Sequence, residues 1–378
     1  MSKTINIQPS DQSAITSLLE HLIRMPTVSA DRATNAAALD WVENQLAGLP
    51  LHIRRLTNQQ VPALIATTSG TPDPKAPRLW LAGHMDVVPG PARVFEPRIE
   101  DTRLYGRGAS DMKSALAVFI HLLQTLGQNL ASYDLGFMIT CDEEVGGFDG
   151  AHWLVDGGYR GEAMVLPDAG KNWDIEPKSK GIMWYEVTAT GTSAHGSRPW
   201  NGDNAITKLT AFIDTLASQY PSEPCGDEHH AHGTLNVGTI AGGSIANQVP
   251  DKAIAHLDLR LLPDELIGTK HQELEAVAAQ HPGITLTQLV AEPGFELHYD
   301  GALRHFSRIA ETVRGQKLSS SLSHASSDAR HFIPVGIQVI AARATGGDHH
   351  SDNEWIDLED LTVYYQIIKQ FTEEWAKR

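Results

Sequence analysis

Residues 135–147 read LGFMITCDEEVGG, an apolar run that stops at three consecutive acids and two glycines. A short continuous apolar segment ending in polar, glycine-rich sequence is how a strand buried on both faces reads, and such strands belong to parallel sheets. Asp142, Glu143 and Glu144 repel one another where that strand ends. Two accounts stand side by side: a solvated turn, or a bound cation that offsets the repulsion. Adjacent acids can also divide the work, one ligating while the other faces the water it deprotonates.

The same pattern recurs outward in both directions. Residues 79–89, LWLAGHMDVVP, end an apolar run on His84 and Asp86. Two apart on an extended chain, these project to one side. The plain reading is a loop histidine; the functional one is an imidazole ligand whose second N–H is fixed by a carboxylate. Residues 104–114, LYGRGASDMKS, set Asp111 directly before a helix predicted from Met112 to Leu126, with Ala115, Leu116, Phe119, Leu122, Leu123 and Leu126 inward and Gly127 to end it. Asp111 is therefore a helix cap or a ligand, and the two glycines lack the third of a dinucleotide fingerprint. Further on, Asp168 follows the apolar run 163–166, and residues 343–355, RATGGDHHSDNEW, carry His349 and His350 in a glycine-rich loop.

Strand after strand delivering a His, Asp or Glu at its end points to a metal site, because open α/β sheets bind ligands beyond the carboxyl ends of their strands. One or two histidines with three carboxylates suit zinc or manganese better than the all-oxygen shells of calcium, and two cysteines are too few for a thiolate site. A carboxylate shared between two ions would permit a two-metal centre.

Composition sets the frame. A chain of 378 residues predicts two modules, and 30 Lys+Arg against 46 Asp+Glu gives a formal charge of -16, which argues against nucleic acid or an anionic membrane as partner. Cys141 and Cys225 are expected as free thiols of a cytoplasmic protein, with no signal peptide or membrane span. The first helix is expected to be capped by Ser10 and the second to run from Asn35 to Leu46; alternation with strands implies an α/β layered sheet. From Gly181 the order becomes strand, helix, strand, strand, helix, strand, a βαββαβ unit inserted into a discontinuous larger domain. The expected boundaries are 1–179 and 294–378 for the larger domain and 180–293 for the insert.

With GHMDVVP, GRGASDMK and DEEVGG in this order and spacing, the chain resembles the zinc metallopeptidase family of aminoacylase, acetylornithine deacetylase, succinyl-diaminopimelate desuccinylase, glutamate carboxypeptidase and the zinc dipeptidases. The resemblance covers nearly the whole chain. It implies two divalent ions, zinc with manganese or cobalt as alternatives, held by His84 and Asp168 on one side, by Glu144 and His350 on the other, and bridged by Asp111. Asp86 would orient His84, and Glu143 would be the general base. His350 fits the pattern in HSDNEW better than His349. The inserted unit is similar to the family's lid and dimerisation domain, where His195 would reach a neighbouring subunit's site and polarise the scissile carbonyl. Asn247 and Arg260 fall at positions used for the substrate's carbonyl or carboxylate, as a guanidinium suits. SHASSDARHF looks like the family's substrate loop without its glycines, adding Ser327, Asp328 and Arg330.

The implied reaction is hydrolysis of an amide in an N-acyl amino acid or short peptide by a metal-activated water, Glu143 taking its proton and the metals and His195 stabilising the oxyanion. A dipeptidase or carboxypeptidase is the alternative to a deacylase; Asp168, where many deacylases and carboxypeptidases carry Glu, leans towards dipeptidase- or aminopeptidase-like members. A non-catalytic peptide-binding relative predicts a missing base or ligand, and none is missing. A serine or thiol hydrolase lacks its motif, since no G-x-S-x-G occurs.

Overall fold

In the computed structural model the described residues are 8–168, 170–221, 231–324 and 327–378, so Cys225 lies outside them. The chain divides into two compact units: Met1–Glu176 with Leu297–Ser320 and Ser327–Arg378, and Pro177–Glu296 with Ser321–Ser326.

The first unit is built on a six-stranded mixed sheet. Its strands are β1 (Leu51–Asn58), β2 (Val61–Thr68), β3 (Leu79–His84), β4 (Leu135–Thr140), β5 (Ala163–Val165) and β6 (Gln338–Ile340), in the spatial order β1-β2-β4-β3-β5-β6. β1 is antiparallel to β2 and β2 to β4, whereas β4, β3, β5 and β6 run parallel. Every residue of β2, β3 and β4 is buried, as the apolar runs of β3 and β4 predicted; β2 was not read from the sequence. Because the four are parallel, the residues that follow them emerge at one end of the sheet.

Helices complete this core. Pro9–Arg24, Lys113–Leu126 and Leu358–Trp375 pack on one another, and Leu19, Leu22, Leu116, Phe119 and Phe371 on them are fully buried. Ser10 does not cap the first helix: it lies within it, and the chain enters through Pro9 with Gln8 at the cap position and no side-chain cap bond. Proline lacks an N–H to satisfy and has its φ preset, so the entrance needs no hydroxyl. The second helix begins earlier than Asn35, at Arg32, because the Asp31 side chain accepts from the Thr34 amide. Gly127 ends the third helix at φ +52°.

The second unit carries a four-stranded antiparallel sheet in the order Thr234–Gly242, Lys252–Leu261, Gly181–Thr190, Ile284–Glu292. Its two helices, Ala205–Ala217 and Ile267–Ala278, give the observed order strand, helix, strand, strand, helix, strand. The central strands alternate buried and less buried residues, so one face, Met183, Tyr185, Val187 and Leu257 included, packs with Leu209, Phe212 and Leu274 of the helices.

One close contact lies between the strands that lead to the site. Gly136 pairs with Trp80 across β4 and β3, and a Cβ there would lie 2.3 Å from the indole ring. The ring is fully buried and its Nε1 donates to the Arg160 carbonyl at 2.6 Å, so it cannot give way. Gly136→Ala is expected to destabilise the protein by about 1–3 kcal/mol through overpacking. Urea unfolding reads this as a lower midpoint at constant slope, and an unchanged midpoint would contradict it.

Candidate metal centre

β3 ends on His84, which pairs in register with Thr140 of β4, and the three acids follow directly after β4. The strand register thus brings the imidazole and the acidic turn together. His84 is buried; its Nε2 lies 3.1 Å from Asp111 Oδ1 and its Nδ1 2.9 Å from the backbone oxygen of Asp86. The Asp86 carboxylate is 3.6 Å from that nitrogen and is engaged elsewhere: it accepts from the Ser29 hydroxyl at 2.7 Å and from the amides of Glu143 and Glu144 at 3.2 and 3.3 Å. Its first effect is to pin the acidic turn, while its carbonyl orients His84.

Asp111 does not cap the helix that follows it. Met112 takes the cap position with no side-chain cap bond, and the Asp111 carboxylate faces two histidines instead, His84 through Oδ1 and His350 at 3.3 Å through Oδ2. His350 Nε2 also lies 3.1 Å from Glu144 Oε2. His349 takes a different course. Its Nε2 meets the Ser110 hydroxyl at 3.0 Å, and that oxygen accepts from Arg343, whose guanidinium can only donate. The Nε2 of His349 is thus engaged with Ser110 and does not face the Asp111 carboxylate as that of His350 does.

Two groups able to hold a cation result: His84, Asp111 and Asp168, and Asp111, Glu144 and His350, each offering ligand atoms within 4.8 Å of one another. Asp111 belongs to both. A bound cation fits on an observation independent of this spacing, since Asp168 Oδ2 is buried with no hydrogen-bond partner among the described residues. An orphaned carboxylate oxygen costs its full desolvation, which a cation offsets. Two imidazoles and three carboxylates are a donor set for zinc, manganese or cobalt.

The electrostatics show the strain of collecting these acids. Burial, then the charge of Asp168, pushes the Glu143 carboxyl well above its usual range; burial, then Asp111, does the same to Asp168. Burial alone would depress His84, but the bond to Asp111 and the charges of Glu143 and Asp86 outweigh it and the net shift is strongly upward. His350 is pushed up to about 10 by its bonds to Asp111 and Glu144. Burial would raise Asp111, yet the two histidines hold it far below the carboxylate range.

Of the other expected residues, Arg330 is in this unit, where it donates to the Gly146 carbonyl at 2.6 Å and so braces the turn after Glu144. Asp328 is buried beside Thr140 and accepts from its hydroxyl at 3.3 Å; the Ser327 hydroxyl accepts from the Ala329 amide at 3.4 Å. His195, Asn247 and Arg260 belong to the second unit. His195 is exposed, with Nδ1 held by the Ser197 hydroxyl at 2.8 Å, and Asn247 is exposed with its carbonyl accepting from the Gly196 amide. Arg260 already forms a two-pronged pair with Asp258 at 2.9 and 3.1 Å. The sequence reading passed over Ser29, Arg107, Ser110, Arg343 and Glu354, all buried around the centre.

The chain matches Peptidase family M20/M25/M40 over residues 80–374. It belongs to that family. It is a metal-dependent hydrolase with the family's mixed α/β fold. Among its relatives, succinyl-diaminopimelate desuccinylase of Rhodospirillum centenum is 31% identical, with 95% of this chain and 96% of that protein covered. The Corynebacterium glutamicum desuccinylase is 29% identical over 94% of this chain and 95% of its own length. A Staphylococcus aureus tripeptidase of known structure superposes with a TM-score of 0.79 at 21% identity, covering 98% of this chain and all of that one. No helix among the described residues is long and apolar enough to cross a membrane.

Protons follow from the same electrostatics. Without metal, His84 and His350 have their pKa raised and so are protonated at pH 7, and Glu143 and Asp168 hold protons to a higher pH than free carboxylates. Ligation by His84, His350 and Asp168 would need their donor atoms bare, so metal binding at these groups would release protons and tighten as pH rises. Zinc titrations by calorimetry in two buffers of different ionisation enthalpy should differ by at least about one proton per protein. Identical heats in both buffers would count against the assignment of these ligands.

Proposed function

We propose that the chain hydrolyses the amide bond of an N-acyl amino acid at a two-metal site shared through Asp111. The observation that carries this reading is the Asp111 carboxylate, held between His84 and His350 at the junction of the two ligand groups. Two divalent cations, zinc in our reading, would supply Lewis acidity there, polarising the scissile carbonyl and lowering the pKa of a water towards about 7.

The chain's own residues handle the proton. Glu143 is largely buried beside Asp168, an environment that makes its carboxylate a stronger base than a free one. It takes a proton from the water and passes it to the leaving nitrogen. Asp86 keeps the Glu143 backbone in place while it does so. In the second unit, the exposed imidazole of His195 is offered to a neighbouring subunit of a homodimer, as the resemblance implies, to donate to the developing oxyanion. Asn247 joins it as a carbonyl donor. Arg260 would accept a substrate carboxylate by exchanging it for Asp258, and Arg330 contributes by holding the turn at Gly146. The two cysteines, of which Cys141 is a buried free thiol, support a reducing, cytoplasmic setting.

The desuccinylase relatives support an acyl group that itself carries a carboxylate. A short peptide is the second reading, favoured by Asp168 in place of a glutamate.

Glu143→Ala and His195→Ala should each abolish turnover of N-succinyl and N-acetyl amino acids, while Glu143→Ala retains both metals. Mixed under exchange of subunits, the two inactive proteins should recover about a quarter of wild-type activity, because half of the dimers are hybrids with one intact site of two. Glu143→Ala activity within tenfold of wild type would sink the assignment of the base. Failure of the mixture to recover would remove the shared site and leave the metal chemistry standing.

A further inference from the structure

One buried ion pair joins the loops that carry Asp111 and His350, two of the three members of the second ligand group. The Glu354 carboxylate is 1% exposed and accepts four donors: the amides of Ser110 and Asp111 at 2.9 and 3.0 Å on Oε1, the amide of Gly108 and Arg107 Nη1 at 3.0 Å each on Oε2. The loop from Arg107 to Asp111 is therefore wrapped around a side chain from the far end of the sequence. Arg107, 2% exposed, continues the chain of contacts, donating from Nη1 to the Ser351 carbonyl at 3.0 Å and from Nη2 to the His350 carbonyl at 3.1 Å.

His350 has need of such a hold. Its φ is +61°, in the left-handed region that a non-glycine residue occupies only when its surroundings impose it, and Asp348 two residues earlier is at +56°. The imidazole is also the most exposed of the candidate ligands, with 54% of its side-chain surface accessible. Its ring is anchored through Nε2 at Asp111 and Glu144, and its backbone is held by Arg107 at the carbonyl.

We propose that Arg107 and Glu354 are positioning residues for the second metal position, setting the separation of Asp111 and His350 before any ion binds. This rests on the two-metal reading given above. Glu354 fixes the backbone of Asp111, and Arg107 carries that reference to the backbone of His350. Arginine is required because its planar fork serves Glu354 and both carbonyls at once, which a lysine ammonium on a single stem cannot do. Breaking a buried pair with a purely structural role would cost stability and affect the two metal steps alike.

Glu354→Gln sets an amide N–H against inward-facing donors and endangers the fold itself, so the decisive variant is Arg107→Lys. Metal-free wild type, Arg107→Lys, His350→Ala and Gly136→Ala are each titrated with zinc by calorimetry, with thermal melts run alongside. Wild type should bind two equivalents in separable steps. Arg107→Lys should lose about 10–100-fold in affinity at the step that His350→Ala abolishes, with the other step within about threefold of wild type. Gly136→Ala, destabilised at a distance, should keep both steps. Two wild-type equivalents with an unchanged second step in Arg107→Lys, or with both steps weakened alike, would overturn the positioning role alone. A single wild-type equivalent would overturn the two-metal reading and the positioning role with it.

Discussion

The Asp111 carboxylate between His84 and His350 is the constraint on which the rest of the centre depends. Five acids, Asp86, Asp111, Glu143, Glu144 and Asp168, converge on a volume where none of them is well solvated, and their repulsion would disperse them without a compensating charge. In the protein alone, protonated imidazoles supply part of that charge. Two divalent ions would supply it more fully and would satisfy the Asp168 oxygen that has no partner among the described residues. The upward shifts of Glu143 and Asp168 and the depression of Asp111 are two sides of one arrangement: the carboxylate hydrogen-bonded to both histidines gives up its proton, and its buried acidic neighbours hold theirs.

The sheet makes this convergence affordable in conformational terms. Parallel β3, β4 and β5 bring His84, the acids after Thr140 and Asp168 to one end, so three of the contributing segments are placed by backbone pairing alone. Asp111 and His350 come from loops, which lack such a frame. Their frame is a set of buried polar side chains: Asp86 under the acidic turn, Glu354 inside the Arg107–Asp111 loop, Arg107 across to His350. These work through backbone amides and carbonyls, so in our proposal they fix where the candidate ligands start and would not compete for the ions.

This division also explains what was legible in the sequence. His84, Asp86, the acids 142–144 and Asp168 were readable because each follows an apolar run, and a buried strand announces its own end. The βαββαβ order of the second unit was readable from periodicity, since its strands alternate and its helices do not. Asp111 was ambiguous because a cap and a ligand look alike before a helix; Met112 at the cap position and the contacts to two histidines remove the first reading. Glu354 and Arg107 were illegible as a pair because the roles lie in contacts such as Glu354 to the Asp111 amide, 243 residues apart in the chain. Arg260 shows the converse. The carboxylate two residues back on the same strand, Asp258, was visible throughout, and the period of two already placed it within reach of the guanidinium.

The most direct measurement is anomalous diffraction from crystals grown with zinc. The account predicts two peaks roughly 3.5–4 Å apart on either side of Asp111, one beside His84 and Asp168 and the other beside Glu144 and His350. A single peak, or peaks that leave Asp111 outside the coordination of either ion, would contradict it.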